Sequence, residues 1–161
     1  MFPRGAKSSL RGHPTGCAQG LAKKERSLAI PSSMIAMRPI DQTLFGFNDG
    51  NCFAASVASI LELPLAEVPH TFGVNDQFLR WLAARGLAAT IVNAAHHVPR
   101  GYSIAAGPSL RFAGRLHACV AFNGNVVHDP HYSREGLRLG IVDYVVIHGA
   151  RGERMWFNGP I

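Results

Sequence analysis

The hydrophobic pattern predicts two helices in the first half of the domain. Apolar positions recur at helical spacing over Cys52–Leu63, and Pro64 ends this run. The same spacing predicts a second helix over Asp76–Arg85, capped by Asn75 or by Asp76 itself and ended by Gly86.

The pattern then changes to short apolar runs with the period of β-strands. Five strands are predicted: Leu87–Val92, Tyr102–Ala106, Leu116–Phe122, Asn125–Asp129 and Val142–His148. The dipeptide Asn123-Gly124 between two of these runs is a strong hairpin signal. Helices followed by strands favour an α+β domain, in which helix 52–63 packs on an antiparallel sheet.

Charge separates the N-terminal residues from the rest of the chain. The formal net charge is +6, and residues 1–38 hold seven basic side chains against the single acidic Glu25. Residues 39–161 therefore hold nine side chains of each sign and are neutral. Because a nucleic-acid-binding domain needs a basic surface, we expect no nucleic-acid partner.

Residues 1–36 are predicted to be a disordered basic tail, and residues 37–161 to be one domain. The tail has no apolar run of the kind found in secretory signals, although its Arg- and Ser-rich composition would also suit a transit peptide. An early start codon, with Met34 or Met37 as the true beginning, is a further interpretation. No apolar run is long enough to span a membrane, so we expect no membrane insertion.

The three cysteines, Cys17, Cys52 and Cys119, indicate a reducing environment. An odd number in a chain of this size argues against a disulfide scaffold and favours the cytoplasm, while delivery by a secretion system stays open. In such a chain, a cysteine at a helix start with a distant histidine is a candidate nucleophile.

Cys52 is that cysteine, because it occupies the first position of the predicted helix. The unpaired N–H groups of a helix start favour thiolate over thiol. Asn51 is a typical capping residue, and Gly50 leaves room for a substrate. The alternative is that Cys52 is a small buried apolar residue, which is the commoner role of an isolated cysteine.

His117 and Asp129 are candidates for the base and for the group that orients it. His117 opens an apolar strand far from Cys52 in sequence, as in thiol hydrolases whose helix and sheet supply the two groups separately. A third group must accept the imidazole N–H, and Asp129 can do so from the next strand. A structural histidine and an Asp-Pro turn are the alternative interpretations.

The hairpin decides whether Asp129 can take this role. A two-residue loop would pair His117 with Pro130 and turn Asp129 to the opposite face. A three-residue loop, with Gly124 in the left-handed conformation, would place Asp129 directly opposite His117. We predict the three-residue loop, with these pairs: Ala121 with Asn125, Cys119 with Val127, and His117 with Asp129.

This register has consequences for the neighbouring residues. His128 would face away from His117 and cannot be the base, whereas Cys119 would share the face of His117 and pack beneath helix 52–63. A zinc site built from Cys119, His117, His128 and His131 is a rival interpretation, which no Cys-x-x-Cys spacing supports.

Gln42 lies in a segment, residues 37–47, that is predicted to be extended and is followed by a turn at residues 48–50. It precedes Cys52 by ten positions, so its side-chain amide could lie beside the N–H of Cys52 and complete an oxyanion hole. A solvent-facing glutamine is the alternative.

Taken in order, these motifs resemble the papain-like cysteine peptidase superfamily, nearest the short bacterial and phage proteins related to double-glycine leader peptidases. The resemblance covers about residues 37–148 and rests on Gln42, Gly50-Asn51-Cys52-Phe53-Ala54-Ala55, His117-Ala118-Cys119-Val120 and His128-Asp129-Pro130. It implies a papain-like fold and a peptide or protein substrate. It also implies Cys52 as nucleophile, His117 as base, Asp129 as orienting residue and Gln42 as oxyanion donor, with no cofactor and no metal. The spacing from Gln42 to Cys52 is longer than is usual in papain, which leaves the substrate open.

We therefore predict a cysteine peptidase or amidase that hydrolyses an amide or isopeptide bond through a thioester. The same triad also serves deamidases and transglutaminase-type acyl transferases, and the fold can serve as an inactive binding module. These two alternatives stay open at the level of the sequence.

Overall fold

The computed structural model describes residues 37–151, so the predicted tail 1–36 and residues 152–161 lie outside the described part. Two helices precede five strands, as predicted: α1 Cys52–Leu61, α2 Asp76–Ala83, β1 Leu87–Asn93, β2 Tyr102–Pro108, β3 Leu116–Phe122, β4 Asn125–His128 and β5 Asp143–Gly149. The α+β class is therefore confirmed. Neither helix in this part of the chain has the length and hydrophobicity needed to cross a membrane.

Both helices end two residues earlier than predicted. At the end of α1, Glu62 adopts the left-handed conformation with φ 54°, and its N–H donates to the carbonyl of Ala58. At the start of α2, the Oδ1 atom of Asn75 accepts a hydrogen bond from the N–H of Phe78 at 2.9 Å. Asn75, rather than Asp76, is thus the capping residue.

The five strands form one antiparallel sheet in the order β1-β5-β2-β3-β4. Helix α1 packs on one face of this sheet, mainly against β3 and β2. The core between them is apolar: Phe53, Val57, Ile60, Phe78, Leu82, Ile104, Val120, Val145 and Ile147. Each such side chain contributes about 1.5–3 kcal/mol on burial, so the start of α1 is held firmly next to β3.

The hairpin between β3 and β4 has a two-residue loop, so the predicted three-residue loop is wrong. Phe122 pairs with Asn125, and Asn123 and Gly124 have φ values of 49° and 81°. Two consecutive positive φ values are the mark of a type I′ turn, whose twist suits a hairpin.

By itself, a two-residue loop would turn Asp129 away from the face of His117, but a β-bulge next to the loop cancels this effect. The register shifts between Ala121, which pairs with Val126, and Val120, which pairs with His128. The predicted pairs are therefore wrong: Ala121 with Asn125, Cys119 with Val127, and His117 with Asp129. Because the bulge adds one residue to β4, Asp129 nevertheless points to the same face as His117.

Candidate active site

Asn51 fixes the segment that precedes α1, although not by the capping bond that its position predicts. Its side chain makes no cap hydrogen bond to the helix. Instead, its Oδ1 atom accepts the N–H groups of Thr43 and Leu44, both at 3.0 Å. No side chain therefore caps the start of α1, and its first N–H groups remain for Cys52 and for a bound oxyanion.

Cys52 is the first residue of α1 and lies half-buried at the edge of a cleft. Burial alone would raise the pKa of its thiol. A hydrogen bond with His117, the positive charge of that imidazole and the N–H groups of Ala118 and Phe53 together outweigh burial and lower this pKa. The site therefore favours the thiolate, which is the reactive form.

His117 connects the thiol to a buried carboxylate. Its Nε2 atom donates to Oδ1 of Asp129 at 2.6 Å, so Nδ1 is the ring nitrogen that is left for Cys52. Burial alone would lower the pKa of His117. The hydrogen bonds with Asp129, Cys119 and Cys52 raise it to about 11, so the imidazole carries its proton at neutral pH.

Asp129 lies directly after β4, and both of its carboxylate oxygens accept hydrogen bonds. Its Oδ1 atom accepts from His117 and from the N–H of His131 at 2.8 Å, and Oδ2 accepts from the N–H of Gly136 at 2.8 Å. Burial alone would raise the pKa of Asp129, but these hydrogen bonds hold it at about 2. The carboxylate is therefore ionised and fixed in direction.

Gln42 is buried, in the segment that precedes α1. It lines the same cleft as Cys52 and His117. Its Nε2 atom donates to the carbonyl of Leu44 at 2.8 Å, and its backbone N–H donates to that of Pro130 at 2.9 Å. The amide nitrogen carries two N–H groups, and the bond to Leu44 uses one of them. The role of oxyanion donor stays a prediction.

The cleft is lined mostly by apolar side chains. It encloses about 420 Å³, and Cys52 and His117 are among the residues that line it. Its walls carry partly exposed large apolar residues: Phe45, Phe47, Phe72, Ile91, Phe112 and Leu116. A site of this size and lining suits one or two apolar side chains of a substrate.

His128 has a structural role, in agreement with its predicted direction. It pairs with Val120 on the face that α1 covers, and its Nε2 atom donates to the carbonyl of Ile40 at 3.0 Å. The bond holds the extended segment that carries Gln42.

Cys119 is not beneath α1, which corrects that prediction. It pairs with Ala105, which belongs to an apolar cluster with Ala121 and Tyr144. Its neighbours Ala118 and Val120 occupy the face beneath α1, so alternation along the strand turns Cys119 away.

One set of residues in the described part has the composition of a metal site. The ligand atoms of His117, Cys119 and Asp129 lie within 4.8 Å of one another. His128, which the zinc interpretation included, lies on the opposite face. The Nε2–H of His117 already donates to Asp129, so a metal bound through that nitrogen would replace this hydrogen bond, and the set fits the triad better than a metal.

Arg111 and His131 both contact the carboxylate of Asp129, and the sequence pattern gave neither of them a role in the triad. The Nη2 atom of Arg111 lies 3.8 Å from Oδ2 of Asp129. His131 donates its backbone N–H to Oδ1 in an Asx turn, which the Asp-Pro-His sequence could have indicated. Arg111 lies in an irregular segment, so no periodicity marked it.

The Cys52 thiol, the His117 imidazolium and the Asp129 carboxylate thus lie in series next to an apolar cleft, and thiol hydrolases use such a grouping for acyl transfer. Comparisons with protein-family models, with curated proteins and with solved structures found no match. The assignment of function therefore rests on the geometry and charges of these residues.

Proposed function

We propose that the protein is a papain-like cysteine peptidase or amidase that hydrolyses an amide or isopeptide bond through a thioester. The observation that supports this most is the series Cys52–His117–Asp129. In it, a hydrogen-bonded imidazole lies between a thiol of lowered pKa and a buried carboxylate at 2.6 Å. A merely structural cysteine would need neither partner.

In the acylation step, the Cys52 thiolate attacks the carbonyl carbon of the scissile bond. The backbone N–H of Cys52 and the side-chain amide of Gln42 stabilise the oxyanion. His117 then gives its Nδ1 proton to the leaving nitrogen, the C–N bond breaks, and the amine departs. The products are a thioester on Cys52 and a neutral His117.

In the deacylation step, neutral His117 takes a proton from water as the water oxygen attacks the thioester. The C–S bond breaks, the acid leaves, and the thiolate–imidazolium pair is restored. Throughout both steps, Asp129 keeps the Nε2–H of His117 in place, so that Nδ1 faces the reacting atoms.

The substrate that we propose is a peptide or protein segment with large apolar side chains next to the scissile bond. The apolar walls of the cleft support this class. We place the enzyme in a reducing compartment, because the mechanism requires that Cys52 remain a free thiol.

The first test is alkylation of the full chain with iodoacetamide between pH 5 and pH 8, read by peptide mass spectrometry. We expect Cys52 to be alkylated rapidly below pH 7, and Cys119 to remain unmodified because it is buried. The His117→Ala variant should lose the reactivity at low pH. Alkylation of Cys52 only above pH 8 would contradict the proposal.

The second test is cleavage of a fluorogenic peptide library that varies the apolar residue next to the scissile bond. Turnover that is lost in Cys52→Ala supports the hydrolase. If Cys52 is activated but products form only with an added amine, the acyl-transferase alternative applies. If no substrate class reacts, the binding-module alternative applies.

A further inference from the structure

Arg111 has a guanidinium group that is largely buried and only partly satisfied. Its side chain is 15% exposed, and its Nη2 atom is buried with no hydrogen-bond partner among the described residues. Burial of a charged group is costly unless an opposite charge compensates it. The buried carboxylate beside Nη2 is that of Asp129, whose Oδ2 atom lies 3.8 Å away.

Two serines fix the position of Arg111. The hydroxyl of Ser109 accepts the backbone N–H groups of Arg111 and Phe112, both at 3.2 Å, and so shapes the turn before β3. On the far side, Nη1 donates to Oγ of Ser133 at 2.9 Å and lies 3.3 Å from the exposed carboxylate of Glu135. The other edge of the guanidinium is thereby directed at Asp129.

We propose that Arg111 is a positioning residue of the triad, which keeps the Asp129 carboxylate aligned with His117. This inference rests on the proposed function, because Arg111 acts through Asp129 and not on the substrate. It extends the series to four residues: Arg111, Asp129, His117 and Cys52.

His131 gives this proposal independent support. Its Nδ1 atom lies 3.1 Å from the backbone nitrogen of Ser133 and 2.9 Å from the hydroxyl of the same residue, which together hold the ring in place. Its ring stands edge-on to that of His117, with centroids 6.4 Å apart. Burial and the charge of Arg111 lower the pKa of His131, so only one imidazolium, that of His117, lies beside Asp129.

The charged and titratable groups around the triad come from several elements. They are Cys52 of α1, Cys119 of β3, His131, Arg134 and Glu135 after β4, Asp41 of the extended segment, and Arg111. Arg134 donates to the backbone carbonyl of Asp129, not to its carboxylate, and is paired with Asp41 at 2.7 Å. Arg111 is therefore the guanidinium directed at the carboxylate itself.

Alkylation of Cys52 by iodoacetamide, followed from pH 4 to pH 9 on the full chain, tests this role without a substrate. Arg111→Gln removes the charge but keeps a donor for Ser133. We expect it to raise the midpoint of alkylation by about half a pH unit, because a carboxylate that is no longer held in line keeps the His117 imidazolium less firmly beside the thiolate. Arg111→Lys should restore most of this shift.

The matched control is Arg138→Met. Arg138 is exposed in the segment that follows β4, and its backbone N–H donates to the carbonyl of Pro108. This change removes the same charge from a neighbouring position, and we expect the wild-type midpoint. A thermal melt on each variant verifies that it is folded.

The outcomes separate the two proposals. An ordinary thiol midpoint in the wild-type chain would contradict the proposed function itself. A lowered wild-type midpoint that is unchanged in Arg111→Gln would contradict only the role of Arg111. Unfolding of both Arg111 variants would also overturn that role, since it would assign Arg111 to overall stability.

Discussion

Two cysteines lie beside the same imidazole, yet their environments drive their thiols in opposite directions. Cys52 begins a helix at the edge of a cleft, whereas Cys119 lies in the middle of β3 and is fully buried. Burial and hydrogen bonding to His117 act on both thiols. The pKa of Cys52 is nevertheless lowered and that of Cys119 is raised.

The difference comes from the remaining neighbours of each sulfur. The N–H groups of Ala118 and Phe53 favour the Cys52 thiolate. At Cys119, burial is joined by the negative charges of Asp129 and Cys52, which disfavour a second anion. Proximity to a histidine therefore does not by itself lower the pKa of a thiol; the N–H groups of Phe53 in α1 and of Ala118 in β3 favour the thiolate at Cys52 alone.

Exchange of each cysteine for alanine gives the largest expected contrast. Cys52→Ala should lower amide hydrolysis by at least about 10⁴-fold, because the nucleophile is lost. Cys119→Ala should keep turnover within about tenfold and lower the free energy of unfolding by about 1–2 kcal/mol, because it leaves a small cavity. Rates on a cleaved peptide and thermal melts measure both effects. Equal losses of activity would break the distinction between the two thiols.

Asp129→Asn should have the next largest effect. An asparagine has one acceptor oxygen for the N–H groups that now contact two, and it carries no charge to hold the His117 imidazolium in its present tautomer. We expect turnover to fall by about 10³–10⁴-fold and Cys52 to need a higher pH for alkylation, as a thiol without an aligned base does.

The control for this change is His128→Asn, on the opposite face of the hairpin. It alters the bond to Ile40 but not the triad, so melting should fall while the pH dependence of Cys52 alkylation is kept. Turnover in Asp129→Asn close to wild type would leave a Cys52–His117 dyad in place of the triad.

The sequence was sufficient for the elements that carry the site. Periodicity predicted α1 and the bounds of β3, because both bury an apolar face in the core. The hairpin loop was mispredicted because its type and the β-bulge compensate each other. A two-residue loop with a bulge and a three-residue loop without one both direct Asp129 to the face of His117.

The groups around Asp129 were harder to foresee. Arg111 precedes Asp129 by eighteen positions and lies in an irregular segment, and its contact arises only when the turn before β3 packs against the residues after β4. Asn51 likewise could cap α1 or bind the extended segment, and tertiary packing chose the second. Local propensity cannot decide between two such uses of one side chain.

Gln42→Ala should have an intermediate effect on turnover, and it tests the oxyanion donor separately from the Cys52 thiol. Loss of one oxyanion donor costs about 10²–10³ in turnover, while the backbone N–H of Cys52 remains. Alkylation of Cys52 should be almost unchanged, because that reaction forms no oxyanion. Gln42→Glu, of similar size, serves as the matched variant without a donor. Unaltered turnover in both would make Gln42 a residue of the cleft wall only.

The smallest expected effect concerns the pH dependence of stability through His117. Its pKa in the folded protein, about 11, lies above its ordinary value of 6.5. The stabilisation is therefore fully present below about pH 6.5 and is lost as the pH rises towards 11. In a Cys52→Ala background, which removes the coupled thiolate, Asp129 and Cys119 still raise this pKa. Between pH 7 and pH 10 we expect the melting temperature to fall by at least about 4 °C more than in Cys52→Ala/His117→Gln, or roughly 1 kcal/mol. Parallel melting curves for the two proteins would show that the folded chain does not hold the imidazole in its protonated form. The proposed ion pair of His117 with Asp129 would then be wrong.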